Sequence, residues 1–527
     1  MRSSDDADVI VVGGGPAGAS VAAFLAREGV DVCLLDRARF PREKPCAEYL
    51  SPEASRVLAS LGVLHEVEAA GAAELDGMVV RAPSGRSFHG AFATARGFRG
   101  FRERGLALRR IHLDDLVLGA ARGAGARVVE GARVSALVTA HGRVGGVVSE
   151  EDGRRVVRRA PLVIGADGLR SVVARRLGLA SHAWWPRRVA FVAHYRGVGG
   201  MGRAGEMHVH ADGYVGLADV GHGETNVAIV VPASLAREAK GDATGFFERW
   251  LAARAHLVPR FAPAERVSDV RATGPFASRA RRAWAGGAAL VGDAADFFDP
   301  FTGEGIYAAL RGGELLAPFA ADAVRGDARA RDRALAAYDE ARRREFAGKW
   351  RVERIIGAAV GVPALMNHAA RVLGREQHLA DLLVGVGNLR ADRSPLHRRN
   401  RWRDHRQDIA RLHPLPDMGN AGLPRLNAAG LAGLHATGRV GVGQHLANNL
   451  DCPRCLCLHS LLGSHRQKPL RILGHCHRAV RLAARNVLGE CNPADHHADY
   501  DCHRPGDRPP SATCLNRHYD QHPKQKC

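Results

Sequence analysis

The chain has 527 residues and a formal net charge of +20, and hydrophobic residues make up 46% of it. Such a composition is typical of a globular protein with about two to four domains, and it excludes a fibrous or wholly disordered chain. No window holds about 18 uninterrupted apolar residues, so we expect no transmembrane segment. The acidic start, residues 1–6, is not typical of a signal peptide, and we expect a cytoplasmic protein.

The first predicted elements are a strand, a tight turn, a helix and a second strand. The apolar run of residues 8–12 is followed by the turn Gly13-Gly14-Gly15-Pro16-Ala17-Gly18 and by a helical pattern over residues 19–28. A second apolar run over residues 30–35 ends in Asp36-Arg37. This order places a GxGxxG pattern between a strand and a helix, which is typical of a dinucleotide-binding fold.

The residues of this pattern are suited to a bound nucleotide. Gly13 permits the turn, Gly15 lets a pyrophosphate approach the backbone, and Gly18 allows the helix to pack closely on the strand. Free N–H groups at the start of the helix favour phosphates, and Asp36 lies where a carboxylate can accept both ribose hydroxyls. The predicted nucleotide site consists of Gly13, Gly15, Pro16, Ala17, Gly18, Asp36 and Arg37.

Two later motifs predict that the nucleotide is FAD. Two apolar strands end in Asp167-Gly168 and in Gly292-Asp293, and Asp293 would hold a ribitol hydroxyl. A glycine-rich helix start at residues 303–306 would present N–H groups to the flavin pyrimidine edge. Each motif alone is equally typical of an ordinary turn at the end of a strand. The predicted flavin site consists of Asp167, Gly168, Gly292, Asp293, Gly303, Gly305 and Ile306.

The segment between Ser171 and Trp284 changes to short β runs separated by glycine-containing turns. These predicted strands cover residues 188–193, 206–210 and 225–231, and a helix is predicted over residues 246–251. Helices are predicted again over residues 330–354 and 362–373. The apolar stretch of residues 355–366 is interrupted by Pro363; we expect it to pack in the core, and a lid or peripheral contact with a membrane surface is the alternative.

Several motifs resemble those of a known flavoprotein family. Residues 13–18, Asp167-Gly168 and Gly292-Asp293 resemble the three FAD motifs of the aromatic-hydroxylase (p-hydroxybenzoate hydroxylase-like) superfamily. Three further segments are similar to the FPRxKxCG, RxxLD and DPxxGEGI elements of its geranylgeranyl-reductase-related branch. These are residues 39–46 (RFPREKPC), 110–114 (RIHLD) and 299–306 (DPFTGEGI). In that branch the arginine of RxxLD, here Arg110, helps to anchor the FAD.

The resemblance implies an α/β fold and an FAD-dependent oxidoreductase. A Rossmann-like, GR2-type FAD-binding domain would comprise residues 1–180 and 281–387, the second part including the C-terminal helices. A mixed β-sheet substrate-binding domain, residues 181–280, would be inserted between them. The enzyme would act on a sizeable, mostly apolar small molecule by geranylgeranyl-reductase-like C=C reduction or a related redox step. An FAD-dependent monooxygenase, which hydroxylates or epoxidises its substrate, is the alternative.

Two residues are candidates for contact with the substrate or the flavin. Cys46 falls where the branch places a Cys-Gly near the flavin, with Ala47 replacing the glycine, and is the candidate catalytic residue; the alternative is a small buried hydrophobe. Tyr214, the candidate substrate residue, opens the stretch YVGLAD, which corresponds to the YxWxFP element of prenyl-reducing members. Its lack of the Trp and the Phe-Pro argues against geranylgeranyl itself as the substrate.

Besides FAD, the sequence bears on electron donors and metals. No second GxGxxG domain is predicted, so we expect electrons from NAD(P)H that binds transiently or from a separate reductase. His208 and His210 share one face of a strand, but two histidines make a poor metal site, and we expect no metal.

Residues 388–527 differ in composition from the rest of the chain. They hold 22 Lys+Arg against 11 Asp+Glu, eight of the ten Cys, 14 of the 26 His and none of the 16 Phe. We predict that this basic tail is unfolded, results from a GC-rich gene read out of frame, and gives the protein no nucleic-acid partner. The alternatives are a basic arm that makes the chain a nucleic-acid-binding protein, or a zinc module. The zinc ligands would come from Cys452, Cys455, His475, Cys476 and His477.

Overall fold

Two large sheets, three three-stranded sheets and the helices that pack on them make up the structure. A computed structural model describes residues 6–92, 100–183, 185 and 187–385, and the predicted tail, residues 388–527, lies outside these residues. The strands are β1 (Val9–Val12), β2 (Val32–Asp36), β3 (Tyr49–Leu50), β4 (Ala73–Leu75), β5 (Gly77–Arg81), β6 (Ser87–Ala91), β7 (Gly105–Ala107), β8 (Arg127–Glu130), β9 (Arg133–Ala140), β10 (Arg143–Glu151), β11 (Arg154–Arg159), β12 (Leu162–Gly165), β13 (Ala180–His182), β14 (Arg188–Arg196), β15 (Ala204–His210), β16 (Gly213–Asp219), β17 (Glu224–Pro232), β18 (Glu265–Arg266), β19 (Arg271–Thr273), β20 (Ser278–Ala280), β21 (Trp284–Ala285), β22 (Ala288–Leu290) and β23 (Asp296–Phe297). The α-helices are α1 (Pro16–Arg27), α2 (Pro52–Leu61), α3 (Leu64–Ala69), α4 (Arg110–Gly123), α5 (Val172–Arg176), α6 (Ala243–Ala252), α7 (Val258–Phe261), α8 (Gly305–Arg325), α9 (Ala328–Val360), α10 (Pro363–Leu373) and α11 (Gln377–Gly385).

The first sheet has six strands in the order β21-β22-β12-β1-β2-β8. All neighbours pair in parallel except β21, which is antiparallel at the edge. Every residue of β1 and β12 is buried, as expected for a parallel sheet that is covered on both faces. The carboxyl ends of β1, β2, β12 and β22 therefore lie at one edge of the sheet. The predicted α/β fold is confirmed, and the turns predicted to bind a nucleotide share this edge.

Helices α1 and α8 pack closely against each other. A Cβ added to Gly313 of α8 would lie 2.8 Å from the Ser20 Oγ and from the Val21 nitrogen of α1, so a side chain does not fit there. The Ser20 hydroxyl donates a hydrogen bond to the Leu310 carbonyl at 3.0 Å. Because α1 begins at the GxGxxG turn and α8 at the glycine-rich turn, this contact fixes the two turns relative to each other.

The second sheet has eight strands, in the order β18-β14-β17-β16-β15-β5-β6, with β19 also paired to β14. The strands predicted over residues 188–231 all form. β5 and β6, which the sequence analysis did not assign, extend the sheet, and β5 pairs in parallel with β15. Phe246, Phe247 and Trp250 of α6 are buried among residues of one face. The opposite face packs on residues of α9, α10 and α11.

The C-terminal helices end the described part of the chain in a sharp bend. α9 is 33 residues long, and α10 turns away from it by 114°. Among the described residues, no helix on its own has the length and apolar character to cross a membrane. Within the part of the chain that the structure describes, only the bent pair α9 and α10, taken together, has that length and composition.

Candidate functional site

The turn after β1 has room for a ligand at one glycine only. Gly13 has a φ of +105°, and a Cβ there would lie 2.5 Å from the Ala166 carbonyl oxygen. A Cβ on Gly18 would lie 1.8 Å from the Gly13 carbonyl oxygen, so both positions need glycine to let the chain turn and α1 pack. A Cβ on Gly15 would meet only the Arg42 Nη2, at 3.7 Å. The space beside Gly15 is therefore open and is bordered by a cation, which fits a pyrophosphate.

The start of α1 and the end of β2 complete this part of the site. Pro16 and Ala17 are buried in the first turn of α1. The Asp36 carboxylate is buried, and it accepts hydrogen bonds from the Gly14 N–H at 2.6 Å and from the Ala38 N–H at 2.8 Å. Asp36 thus ties the end of β2 to the glycine turn. Arg37 is exposed beyond it.

The other two predicted motifs end strands close to β1. One carboxylate oxygen of Asp167 accepts a hydrogen bond from the Val172 N–H at 2.6 Å at the start of α5. Its second oxygen is buried and has no hydrogen-bond partner among the described residues, and burial raises the pKa of this carboxyl group. A Cβ on Gly292 would lie 2.8 Å from the Ala17 Cβ, so the Gly292-Asp293 turn lies directly against α1. The structure therefore brings the three motifs together.

A cluster of cations lies beside these turns. Arg110 makes a two-pronged ion pair with the fully buried Asp114, at 2.6 and 2.7 Å, and Arg42 Nη1 lies 2.7 Å from the same carboxylate. Burial, and then the Arg110 charge, lower the pKa of Lys44, while the Asp293 carboxylate opposes this shift. Burial raises the pKa of Asp293, and Lys44 and Arg110 oppose it. Three cations against two carboxylates leave the cluster positive, which fits a pyrophosphate.

Cys46 lies beside this cluster. Its sulfur accepts a hydrogen bond from the Glu48 N–H at 3.4 Å and interacts with the Arg110 guanidinium. The side chain is partly exposed. Predicted residues Cys46 and Arg110 are therefore neighbours in the structure.

A buried polar network, which the sequence analysis missed, holds the Cys46 segment. The Glu48 carboxyl group is fully buried; it accepts hydrogen bonds from the Arg110 N–H at 2.8 Å and the Asn226 amide at 3.0 Å, and it lies 2.7 Å from His194 Nε2. The Asn226 amide also donates to the Cys46 carbonyl at 2.8 Å. His194 and Asn226 face each other on β14 and β17. A polar pair inside two otherwise apolar strands was the available sequence signal.

The glycine-rich turn of residues 299–306 is anchored through Asp299. The Asp299 carboxylate accepts hydrogen bonds from the Tyr214 hydroxyl at 2.8 Å and from the Phe301 N–H at 3.1 Å, and it pairs with Arg188 at 2.5 Å. Tyr214, the candidate substrate residue, is 1% exposed, and its ring packs edge-on against Phe301 at 5.0 Å. In this structure the Tyr214 hydroxyl therefore donates its hydrogen bond to the turn.

The start of α8 follows this anchor. Gly303 lies against the Tyr49 ring, Gly305 is the first residue of α8, and Ile306 is buried. The predicted flavin-facing N–H groups thus belong to the beginning of a 21-residue helix. Behind the turn, the Thr302 hydroxyl contacts the Glu353 carboxyl group at 3.4 Å. Burial, together with the Asp296 and Glu304 charges, raises the pKa of Glu353 to about 7 against the opposing charge of Lys349.

Two other sequence patterns belong to the second sheet. Gly197-Val198-Gly199-Gly200-Met201-Gly202 also fits GxGxxG, but it joins β14 to β15 and no helix follows it. His208 Nδ1 lies 3.1 Å from His256 Nε2, and His208 Nε2 lies 2.7 Å from Glu206 Oε2. The described residues contain no group of three or more His, Cys, Asp or Glu arranged to hold a metal ion.

Comparison with known proteins agrees with this geometry. A family model described as an FAD binding domain matches residues 6–351. The chain is 30% identical over 343 residues to a menaquinone reductase of Mycobacterium tuberculosis (60% of this chain, 77% of the relative). It is 33% identical over 330 residues to digeranylgeranylglycerophospholipid reductase 2 of Methanopyrus kandleri (61% of this chain, 78% of the relative).

A solved structure shares the fold. It is that of a geranylgeranyl bacteriochlorophyll reductase-like protein from Thermoplasma acidophilum, with a TM-score of 0.62 and 20% sequence identity. The similarity covers 72% of this chain and 96% of that one. At this identity it concerns the fold alone.

Proposed function

This chain belongs to the FAD-binding-domain family, in the geranylgeranyl-reductase-related branch, and is an FAD-dependent oxidoreductase; we propose that it reduces a C=C bond in a large apolar molecule that carries a prenyl-like chain. The two curated relatives carry names of enzymes that reduce a menaquinone and a digeranylgeranylglycerophospholipid. The reaction type and an apolar substrate are the two properties of these relatives that the proposal extends to this chain.

The observation that carries this proposal is an apolar layer beside the flavin motifs. The layer is a cluster of buried side chains between the second sheet and α9–α11. Its members include Val192, Met207, Tyr214, Val230, Phe276, Phe301, Val360 and Met366. Phe301 belongs to the glycine-rich turn, and Leu169, which packs against the layer, directly follows Asp167-Gly168. An apolar substrate bound against this layer would therefore lie next to both predicted flavin motifs.

The residues around the FAD have separate roles in this proposal. Arg42, Lys44 and Arg110 provide positive charge beside Gly15, where the pyrophosphate fits. FAD, when bound and reduced, would supply the hydride for C=C reduction. Reduction also needs a proton, and we assign it to the Cys46 thiol, which lies beside Arg110 at the same edge of the sheet. The electrons would come from NAD(P)H that binds transiently or from a separate reductase.

The experiment that tests the reaction uses the flavin as its own reporter. The purified full-length protein is photoreduced without oxygen and mixed with a prenylated quinone, a prenylated phospholipid or a short prenyl alcohol. We expect at least one acceptor to restore the absorbance of oxidised flavin and to gain two hydrogens by mass spectrometry. Reoxidation by oxygen alone, with a product that has gained an oxygen atom, would replace this proposal by monooxygenation.

A substitution of the candidate proton donor tests its role. We predict that Cys46→Ala lowers the rate of acceptor reduction about 100-fold, the scale of a lost general acid, at unchanged FAD content. Cys33→Ala is the matched control, because Cys33 is fully buried within β2 and away from the turns. An unchanged rate for Cys46→Ala would make Cys46 a packing residue.

A further inference from the structure

A cavity on the α6 side of the second sheet is lined by basic side chains. It has a volume of about 460 Å³ and lies where three segments meet, namely the turn between β5 and β6, the turn between β15 and β16, and the segment that follows α6. The charged and titratable residues that line it are Arg81, His210, Asp212, Arg254 and His256. None of them belongs to a predicted flavin motif.

The sheet itself separates this cavity from the apolar layer. Side chains alternate between the two faces along β15, and Met207 and Val209 are buried in the apolar layer. His208 and His210 therefore point to the opposite face, where the His210 ring meets the Trp250 ring of α6 edge-on, with 5.6 Å between the ring centroids. A ligand of the cavity would lie across the sheet from an apolar substrate, so the cavity is a separate site.

Two polar groups of the cavity lining have no partner. Arg81 is paired with His208 in the register of β5 and β15, so both side chains lie on the same face of the sheet. The Arg81 side chain forms no ion pair with the residues that the structure describes, and its Nη2 lies 3.2 Å from a Cβ added to Gly85, which also lines the cavity. His210 Nε2 is buried and has no hydrogen-bond partner among the described residues. Arg81 and His210 are therefore the groups left for a ligand.

The charge around the cavity is mainly positive. Arg254 and Asp212 neutralise each other, because Arg254 Nη2 contacts both carboxylate oxygens, at 2.5 and 2.6 Å. Burial, and then the Arg254 charge, lowers the pKa of His210 to about 4, against the opposing Asp212 charge. Burial, and then the neighbouring basic groups, lowers the pKa of His256 to about 4; these groups are His208, Arg81, Arg260 and Arg254. A site that penalises a further positive charge favours an anion.

We propose that this cavity binds a phosphate dianion, held by the Arg81 guanidinium and by the His210 Nε2–H. The oxygens of a phosphate point in several directions, so one phosphate can accept from groups on two neighbouring strands. The volume of the cavity also leaves room for a small molecule that carries the phosphate. Inorganic phosphate and the 2′-phosphate of NADPH, one of the expected electron donors, share this chemistry, and the experiment below distinguishes them.

Calorimetric titration of the full-length protein with FAD bound tests the site. The probes are inorganic phosphate, NADP⁺ and NAD⁺, the last of which lacks the 2′-phosphate. We expect saturable binding of inorganic phosphate or NADP⁺, and weaker binding when salt is raised. Tighter binding of NADP⁺ than of both other probes would identify the nucleotide phosphate as the ligand. Equal affinities for NADP⁺ and inorganic phosphate would identify free phosphate.

Substitutions in the cavity locate the bound anion. Arg81→Gln should weaken binding about tenfold, the scale of a lost hydrogen bond to a charged group, and Arg81→Lys, which keeps the charge, should lose less. Ala255→Trp should also weaken binding, because Ala255 lines the cavity from an exposed position and the larger side chain would fill the space. Arg133→Gln is the matched control, since Arg133 is an exposed arginine that lines a different basic cavity with Arg175 and Arg176.

Three results would overturn the phosphate site. They are the absence of saturable binding of both inorganic phosphate and NADP⁺, unchanged binding in both Arg81→Gln and Ala255→Trp, and an equal loss of affinity in Arg81→Gln and Arg133→Gln. The titration contains no prenyl acceptor, so its result is separate from the proposed reaction. Phosphate binding without reduction of any acceptor would refute the proposed function and leave the site standing, and reduction without phosphate binding would refute the site alone.

Discussion

At the scale of single residues, the candidate site combines open space beside Gly15 with charged side chains next to that space. A Cβ on Gly15 would meet nothing in the protein closer than Arg42, at 3.7 Å. The glycine is therefore not required by the fold around it, in contrast to Gly13 and Gly18, whose added Cβ atoms would collide with backbone. This difference lets a substitution at Gly15 report on the cofactor with little effect on folding.

We predict that Gly15→Val yields a folded, colourless protein. The valine side chain would occupy the space into which the pyrophosphate fits, while the fold around it has room. Flavin absorbance per chain and the far-ultraviolet circular dichroism spectrum measure the two properties. Gly119→Val is the control, because a Cβ on Gly119 of α4 meets no atom within 4 Å. Full flavin content in Gly15→Val would move the FAD away from this turn.

A second residue-scale prediction concerns pH. The pKa of Glu353 is about 7 in the folded protein, above the ordinary value near 4.5, because burial and the nearby carboxylates disfavour its charge. A carboxyl group with a raised folded pKa stabilises the fold fully below its unfolded pKa, and this contribution is lost as pH rises through 7. Stability should therefore fall between about pH 5 and 8.

Glu353→Gln isolates this effect, because the amide resembles the protonated acid. We expect the variant to be more stable than the wild type at pH 8 by about 1–3 kcal/mol, and to differ little at pH 5. Urea unfolding at the two pH values measures the difference. Glu340→Gln, at an exposed position of the same helix, should show no such pH dependence. A parallel pH profile for Glu353→Gln and wild type would contradict the prediction.

At the scale of elements, two strands of the second sheet hold the loop of Cys46 in place beside the turns of the first sheet. β14 and β17 contribute His194 and Asn226, which hold the buried Glu48 and, through the Cys46 carbonyl, the turn that carries the candidate proton donor. The second sheet thus positions Cys46, although this residue belongs to a loop beside the predicted cofactor site. Removal of one partner would leave part of a buried carboxyl group without a hydrogen bond.

We predict that His194→Ala lowers the free energy of unfolding by about 2–4 kcal/mol, and that His194→Gln, which keeps a donor, loses less. His182→Ala is the control, because His182 is an exposed histidine at the end of β13. Denaturant titration followed by tryptophan fluorescence gives the values. A loss no larger than that of the control would show that Glu48 is satisfied without His194.

The elements differ in how well the sequence predicted them. β1, α1 and β2 were found within two residues at most ends, because each is an apolar run or helical pattern bounded by glycine or charge. β5 and β6 were missed. β5 pairs with β15, more than 100 residues later, and no local pattern encodes that partner, while β6 joins the sheet only through β5. The same reason explains Glu48. Its three hydrogen-bond partners come from α4, β14 and β17, and proximity of that kind depends on tertiary packing.

At the scale of the whole molecule, the family match ends well before the chain does. The family model stops at residue 351, and the described residues stop at 385. Both large sheets, the apolar layer and every motif of the candidate site lie before that point. The remaining residues keep the composition that led us to predict an unfolded, out-of-frame segment.

We predict that a stop codon after Arg390 leaves FAD content and the rate of acceptor reduction unchanged. The physical reason is that every residue assigned to the cofactor or the substrate precedes it. Flavin absorbance per chain and acceptor turnover are compared between the truncated and full-length proteins, and the gene is resequenced. Failure of the truncated protein to fold, or stoichiometric zinc in the full-length protein, would contradict the prediction.

The ion pair at Asp299 has a consequence for the energetics of ligand binding. Its carboxylate joins Arg188 of β14 and Tyr214 of β16 to the turn that precedes α8, and Arg188 also donates to the Gly357 carbonyl of α9 at 2.9 Å. A ligand that displaces β14 or β16 must therefore also displace the glycine-rich turn of residues 299–306 or break these bonds. Thermodynamic reciprocity then requires that, if a prenyl compound tightens FAD by some factor, FAD tightens that compound by the same factor.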